Sequence, residues 1–281
     1  MINPTYPIND WGYFMRFALT LILASFLVTP LHAYQPIRVM LGKPDETKQQ
    51  AHITIHMPAK PNGMSIIICP GGGYGGVVAG PEGNQIAVWL REHGITGVVL
   101  QYRLPHGRHD VPLNDAQAAL KYIREHSKGL GLDGKRVGVM GFSAGGHLAS
   151  TLATHAPSDK LRPDFCILIY PVITMGKHTH GGSKMNLLGA KPSAELIKRF
   201  SNELRVTADT PPTFLAHAID DEPVPPINSQ LFYEACKKHS VPAVYLELPD
   251  GGHGLNGYKG SSWDKWQEQA IDWIKHLGIA R

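Results

Sequence analysis

The segment Gly141-Phe142-Ser143-Ala144-Gly145-Gly146 frames a serine with glycines, after an apolar run at Arg136–Met140 and before a helical pattern at Ala144–His155. A serine hydroxyl is a poor nucleophile at neutral pH. It becomes effective when a base takes its proton and when amide hydrogens receive the negative charge that follows. G-x-S-x-G between a strand and a helix fits that need. The turn is so tight that its flanking residues must be small, and it raises the hydroxyl to a helix N-terminus, where free N–H groups and the helix dipole favour negative charge. A glycine-rich strand–helix turn with an incidental serine is the plain alternative, and the strand and helix on either side argue against it.

A base needs an orienting carboxylate of its own. His253, in Gly251-Gly252-His253-Gly254, follows the apolar run Ala243–Leu248 and precedes the last helical pattern. Asp220-Asp221 follows the run Thr213–Ala218. Both fall at strand ends, in the chain order serine, acid, histidine. Amide donors for an oxyanion are expected from Ala144, the residue after the serine, and from Gly72 and Gly73 in Pro70-Gly71-Gly72-Gly73, a loop that follows an earlier strand. Tyr74, beside those glycines, reads either as a substrate contact or as a packed loop aromatic. His178 and His180 form an H-x-H pair, with His106 and His109 elsewhere. No cysteine or carboxylate stands near them at ligand spacing, so no metal is assigned; His180 reads as lining a substrate pocket or as a solvated loop residue. Nothing in the sequence calls for a cofactor.

The elements around these residues alternate. Strands are expected at Ala51–Met57 (early and antiparallel), Ser65–Cys69, Ile95–Tyr102, Arg136–Met140, Phe165–Tyr170, Thr213–Ala218 and Ala243–Leu248. Helices are expected at Gly83–His93, from an Asn114 or Asp115 cap to about Ser127, and at Ala144–His155, Asn228–His239 and Trp263–Leu277. Residues 172–211 are polar and rich in glycine and histidine, with short helical pieces such as Ala194–Phe200, and read as a cap insertion. The alternation predicts an α/β fold: a mostly parallel sheet with helices on both faces and an active site at the carboxyl ends of the strands. The Ser, Asp, His order and the elbow make this the α/β-hydrolase fold, in which Asp221-Glu222-Pro223-Val224-Pro225 fits a D-x-x-V-P pattern. That selects Asp221 as the acid and leaves Asp220 as a loop or capping residue. Trp263, Trp266 and Trp273 have the spacing of a helix face packed on the core.

The chain has 281 residues, 43% hydrophobic and 18% charged, enough for one large domain over residues 34–281. Its net charge of +4 comes from scattered basic residues, which excludes a nucleic-acid footprint. Cys69, Cys166 and Cys236 read as free, inert thiols. Residues 17–28, FALTLILASFLV, follow Arg16 and precede Leu31-His32-Ala33. They read as a signal peptide over residues 1–33, cleaved after Ala33, with Met15 an alternative start and an uncleaved anchor as the rival reading. The implied destination is secreted or periplasmic, with no membrane association after cleavage.

The motifs CPGGGY (69–74), QYRL (101–104), GFSAGGHLAS (141–150), IYPVI (169–173), HTHGGSKMNLLG (178–189), TPPTFLAHAIDDEPVPPINS (210–229) and GGHG (251–254) resemble bacterial acetyl xylan esterase and feruloyl esterase-like α/β-hydrolases. The resemblance runs from about residue 50 to the end. It implies Ser143 as nucleophile, Asp221 as orienting acid and His253 as base, acting on acylated cell-wall carbohydrate or a small ester. Pro223 and Pro225-Pro226 depart from the group's pattern by stiffening the acid loop. A feruloyl esterase, a serine peptidase-like hydrolase and a carbohydrate-binding protein on an inactive hydrolase fold are the competing expectations.

Overall fold

The computed structural model describes residues 35–277; the expected leader lies outside them. Eight strands, β1 (Ile37–Met40), β2 (His52–His56), β3 (Ser65–Cys69), β4 (Thr96–Gln101), β5 (Val137–Phe142), β6 (Cys166–Ile169), β7 (Thr213–Ala218) and β8 (Ala243–Leu248), form one sheet in the order β1-β2-β4-β3-β5-β6-β7-β8. β1 and β2 are antiparallel additions at one edge, and β4 through β8 run parallel. The central strands SIIIC, VGVMGF, CILI and TFLAHA are buried along their whole length, as strands covered on both faces must be. Alternation sorts their side chains into two cores. Ile67 and Cys69 join one, Ile66 and Ile68 the other.

Helices α1 (Gln85–Glu92), α2 (Asp110–His126), α3 (Ser143–Thr154), α4 (Gly181–Leu188), α5 (Ala194–Arg199), α6 (Ile227–Lys238), α7 (Leu255–Tyr258, a single turn) and α8 (Ser261–His276) complete the fold. Helices α2, α3 and α6 cover one face through residues such as Leu120, Leu148 and Phe232. Helices α1 and α8 cover the other, where Leu90, Trp263 and Trp266 pack. Trp273 stands edge-on to Phe165 beside this second core, so the three tryptophans are packing residues. All three cysteines are free and buried.

The elements differ from the expected ones in three details. Strand β1 was absent from the sequence reading, because IRVM at an exposed edge shows no apolar run bounded by turn residues. Helix α2 starts at Asp110, a turn before the expected cap. Pro112 is tolerated there because the first helical N–H groups need no intrahelical acceptor. Asp115 is thus a mid-helix residue, and its carboxylate takes Arg103 in a short pair at 2.6 Å. The segment read as a cap also contains α4, which the glycine-rich sequence concealed.

Candidate active site

The serine turn lies where the sheet changes winding direction: β3 has β4 on one side and β5 on the other. The register sets Cys69 opposite Gly141, so the loop after β3 and the turn after β5 leave the sheet side by side. Ser143 follows extended Phe142 and takes φ +52°, a left-handed conformation at the first residue of α3. Such a conformation costs on the order of 1–3 kcal/mol and is held by its surroundings. The glycines are required by close approach. A Cβ on Gly141 would lie 2.2 Å from the Gly145 carbonyl oxygen, and one on Gly145 would lie 2.0 Å from that of Cys69. A Cβ on Gly146 would meet Pro171 at 2.6 Å.

Ser143, His253 and Asp221 converge at the carboxyl ends of β5, β8 and β7. Ser143 Oγ lies 2.8 Å from His253 Nε2, and His253 Nδ1 lies 2.8 Å from Asp221 Oδ2. A carboxylate only accepts, so Nδ1 carries the ring hydrogen and the Nε2 lone pair receives the serine hydroxyl. Proton transfer from Oγ to Nε2 needs no rearrangement in this geometry. Asp221 is buried, and burial alone would raise its carboxyl. Hydrogen bonds from His217 and His253, the charge of His253 and the Val224 amide outweigh that and hold it at about 2. Asp220 faces away from this chain of contacts. Its carboxylate accepts from the Gly251 and Gly252 amides at 3.3 and 2.9 Å, fixing the loop that carries His253. The proline-rich acid loop is compatible with Asp221's orientation, since Val224 N–H reaches Asp221 Oδ1 at 3.0 Å.

The glycine loop after β3 abuts the serine: a Cβ on Gly71 would lie 2.9 Å from Ser143 Cβ. Gly72 and Gly73 both have positive φ, +121° and +62°, and a Cβ on Gly72 would collide with the Gly76 carbonyl at 2.4 Å. Asn186 of α4 donates to the Gly73 carbonyl at 2.8 Å, so α4 braces the loop. Ala144 occupies the first turn of α3, where backbone N–H groups have no intrahelical acceptor. Tyr74 does not reach out to substrate, which corrects the substrate-contact reading. Its ring is 2% exposed, and its hydroxyl donates to Nδ1 of the buried His147 at 2.9 Å. Nε2 of His147 donates to the Phe200 carbonyl, and burial lowers its pKa to about 4, so it stays neutral as this pairing requires. His180 caps α4, its Nδ1 accepting from the Ser183 amide at 3.2 Å. It is half-buried near the glycine loop, and burial and the His253 charge both depress its pKa. Among the described residues no three His, Cys, Asp or Glu side chains cluster as a metal site would require.

Two buried groups escaped the sequence reading. His217 on β7 places Nε2 3.2 Å from Asp221 Oδ2 and 2.8 Å from the Val224 carbonyl oxygen. Both neighbours only accept, so Nε2 donates, and Nδ1 accepts from Ser229 Oγ–H at 2.8 Å. Asp221 therefore sits between two imidazoles. The signal was available, since a histidine in the otherwise apolar strand TFLAHA four residues before the acid demands a partner. The second is Glu82, in the irregular turn Gly80–Asn84, whose carboxylate is also buried.

Residues 53–236 match the BD-FAE family. The chain is 33% identical over 260 residues to an acetylxylan esterase of Xylanibacter ruminicola, covering 89% of this chain and 53% of that protein. It is 35% identical over 215 residues to endo-1,4-beta-xylanase B of Butyrivibrio fibrisolvens, covering 72% of this chain and 34% of that one. It thus spans about half or less of these curated relatives' length. Among solved structures, an acetyl ester-xyloside bifunctional hydrolase from Caldicellulosiruptor lactoaceticus superposes with a TM-score of 0.78 at 35% identity, covering 86% of this chain and 97% of that one. The chain belongs to the BD-FAE family and has the α/β-hydrolase fold.

Proposed function

We propose that this BD-FAE family member is a secreted or periplasmic serine carboxylic-ester hydrolase that removes acetyl or other short acyl groups from plant cell-wall carbohydrates such as xylan. The observation that carries the reading is the unbroken hydrogen-bonded chain Ser143–His253–Asp221 at the switch point of the sheet. Relatives described as an acetylxylan esterase and an acetyl ester-xyloside hydrolase supply the substrate class.

In this mechanism Ser143 Oγ attacks the ester carbonyl as Nε2 of His253 takes its proton. Asp221 holds the imidazole in the required tautomer and stabilises the imidazolium that forms. The amides of Gly72, Gly73 and Ala144 receive the oxyanion. Collapse of the tetrahedral intermediate breaks the ester C–O bond, and the imidazolium protonates the departing alcohol. Water, deprotonated by His253, then attacks the acyl-serine, and the second collapse releases the carboxylic acid and restores the Ser143 hydroxyl. The test is a hydrolysis panel of acetylated xylan, methyl ferulate and short p-nitrophenyl esters. Acetate release from xylan and turnover of short esters, with slow methyl ferulate cleavage, is the expected pattern. Preference for methyl ferulate would replace the deacetylase assignment with a feruloyl esterase.

A further inference from the structure

The mechanism above uses nothing from the turn Gly80–Asn84, yet that turn sends a carboxylate into the middle of the site. Glu82 is 3% exposed. Its Oε2 accepts the Gly71 amide at 2.6 Å, and its Oε1 accepts the hydroxyls of Tyr170 at 3.0 Å and Tyr258 at 3.3 Å. An ionised carboxylate only accepts, and three donors converge on it. Each donor comes from a different part of the site. Gly71 immediately precedes the two glycines assigned to the oxyanion. Tyr170 follows β6, at φ +38°, and its ring stands edge-on to the His253 imidazole with centroids 5.0 Å apart. Tyr258 ends the turn that follows His253.

A carboxylate buried without donors is expensive, and even here burial pushes the Glu82 pKa up against the pull of its hydrogen bonds and the His253 charge. An apolar residue would fill the space at less cost. The Gly71 contact shows what the carboxylate supplies. A Cβ on Gly71 would lie 2.8 Å from Glu82 Oε2 and 2.9 Å from Ser143 Cβ, so Gly71 is held between the carboxylate and the nucleophile. With its N–H engaged by Glu82, Gly71 is fixed in one orientation, and the peptide units of Gly72 and Gly73 follow from it.

We propose that Glu82 is a positioning residue for the hydrolytic reaction, tying the glycine loop through its hydroxyl partners to Tyr170, whose ring stands against His253, and to Tyr258 in the turn that follows His253, so that oxyanion donors and base are held in register. The proposal rests on the serine-hydrolase reading of the site. Its test is Glu82→Gln, which keeps the shape and one carbonyl acceptor but puts an amide where a second acceptor stood. Steady-state kinetics on p-nitrophenyl acetate are normalised to the fraction of enzyme that a fluorophosphonate titrates, which removes any loss of folded protein from the comparison.

The expected result is a fall in kcat per titrated serine of about 10- to 100-fold with KM within about threefold, as for donors and base displaced from the transition state. A kcat within about threefold of the parent overturns the proposal, whatever happens to Tm, because a merely structural carboxylate would lower stability alone. Should Glu82→Gln not fold, Tyr258→Phe is read in the same way: it removes one donor at the partly exposed edge of the cluster, a fall in kcat at constant KM sustains the proposal and an unchanged kcat overturns it. Ser143→Ala is assayed alongside. Activity in that variant refutes the serine-hydrolase reading itself, whereas an inactive Ser143→Ala beside a fully active Glu82→Gln refutes only the role of Glu82.

Discussion

Asp221 is buried, accepts from two imidazoles and a backbone amide, and has its pKa held at about 2 against an ordinary value of 3.8. A carboxyl whose pKa is depressed in the folded chain contributes stability above its unfolded pKa and loses it as pH falls through the folded value. That depression corresponds to about 2 kcal/mol, fully present above about pH 5, roughly half gone near pH 3 and lost below about pH 2. The perturbation is Asp221→Asn, which removes the titration while keeping the shape. Urea unfolding of parent and variant between pH 5 and pH 3 gives two stability curves whose difference isolates this group. The parent's advantage should shrink by about 1 kcal/mol over that interval. An advantage that stays flat, or grows as the solution is acidified, would refute the claim that the two imidazoles and the Val224 amide stabilise the ionised carboxylate.

Gly145→Ala would set a Cβ 2.0 Å from the Cys69 carbonyl oxygen and 2.4 Å from that of Pro70, both backbone atoms that cannot swing aside. The serine turn and the glycine loop would be forced apart, so a stability loss of about 2–4 kcal/mol and near-complete loss of ester hydrolysis are expected, checked by thermal unfolding and p-nitrophenyl acetate turnover. Tyr74→Phe strips the buried His147 Nδ1 of its donor at 2.9 Å. It should cost about 1–2 kcal/mol of unfolding free energy with kcat nearly unchanged, because Tyr74 packs beneath the loop and does not face substrate.

Much of this arrangement was legible because tight packing leaves marks in sequence. Gly141, Gly145 and Gly146 are where they are because a Cβ at any of them would overlap a neighbour, so the spacing of the motif reports the geometry directly. The fully buried strands SIIIC and CILI likewise report helices on both sides of the sheet. Glu82 was not legible as a site residue, since it is a single polar side chain whose meaning lies in partners far along the chain, Tyr170 and Tyr258. His217 left a mark, an imidazole within a buried strand four residues before the acid, but its role is plain only once Asp221 is seen between it and His253. Tyr74 showed the reverse failure. Proximity to the glycine loop in sequence suggested substrate, but Tyr74 and its neighbour Gly73 both have positive φ and the ring is buried against Tyr102 and His147. Residues 172–211 hid α4 because Gly181 and Gly182 open it, and its cap is the His180 ring, not a residue type that usually announces a helix start.

Activation of the Ser143 hydroxyl by His253 makes acyl transfer depend on both side chains. The most direct measurement is p-nitrophenyl acetate hydrolysis by the parent chain, Ser143→Ala and His253→Ala, each confirmed as folded. Each substitution should lower kcat by about 10⁴-fold or more, with fluorophosphonate labelling of the parent mapping to Ser143. Turnover by folded Ser143→Ala at a rate close to that of the parent would contradict that dependence.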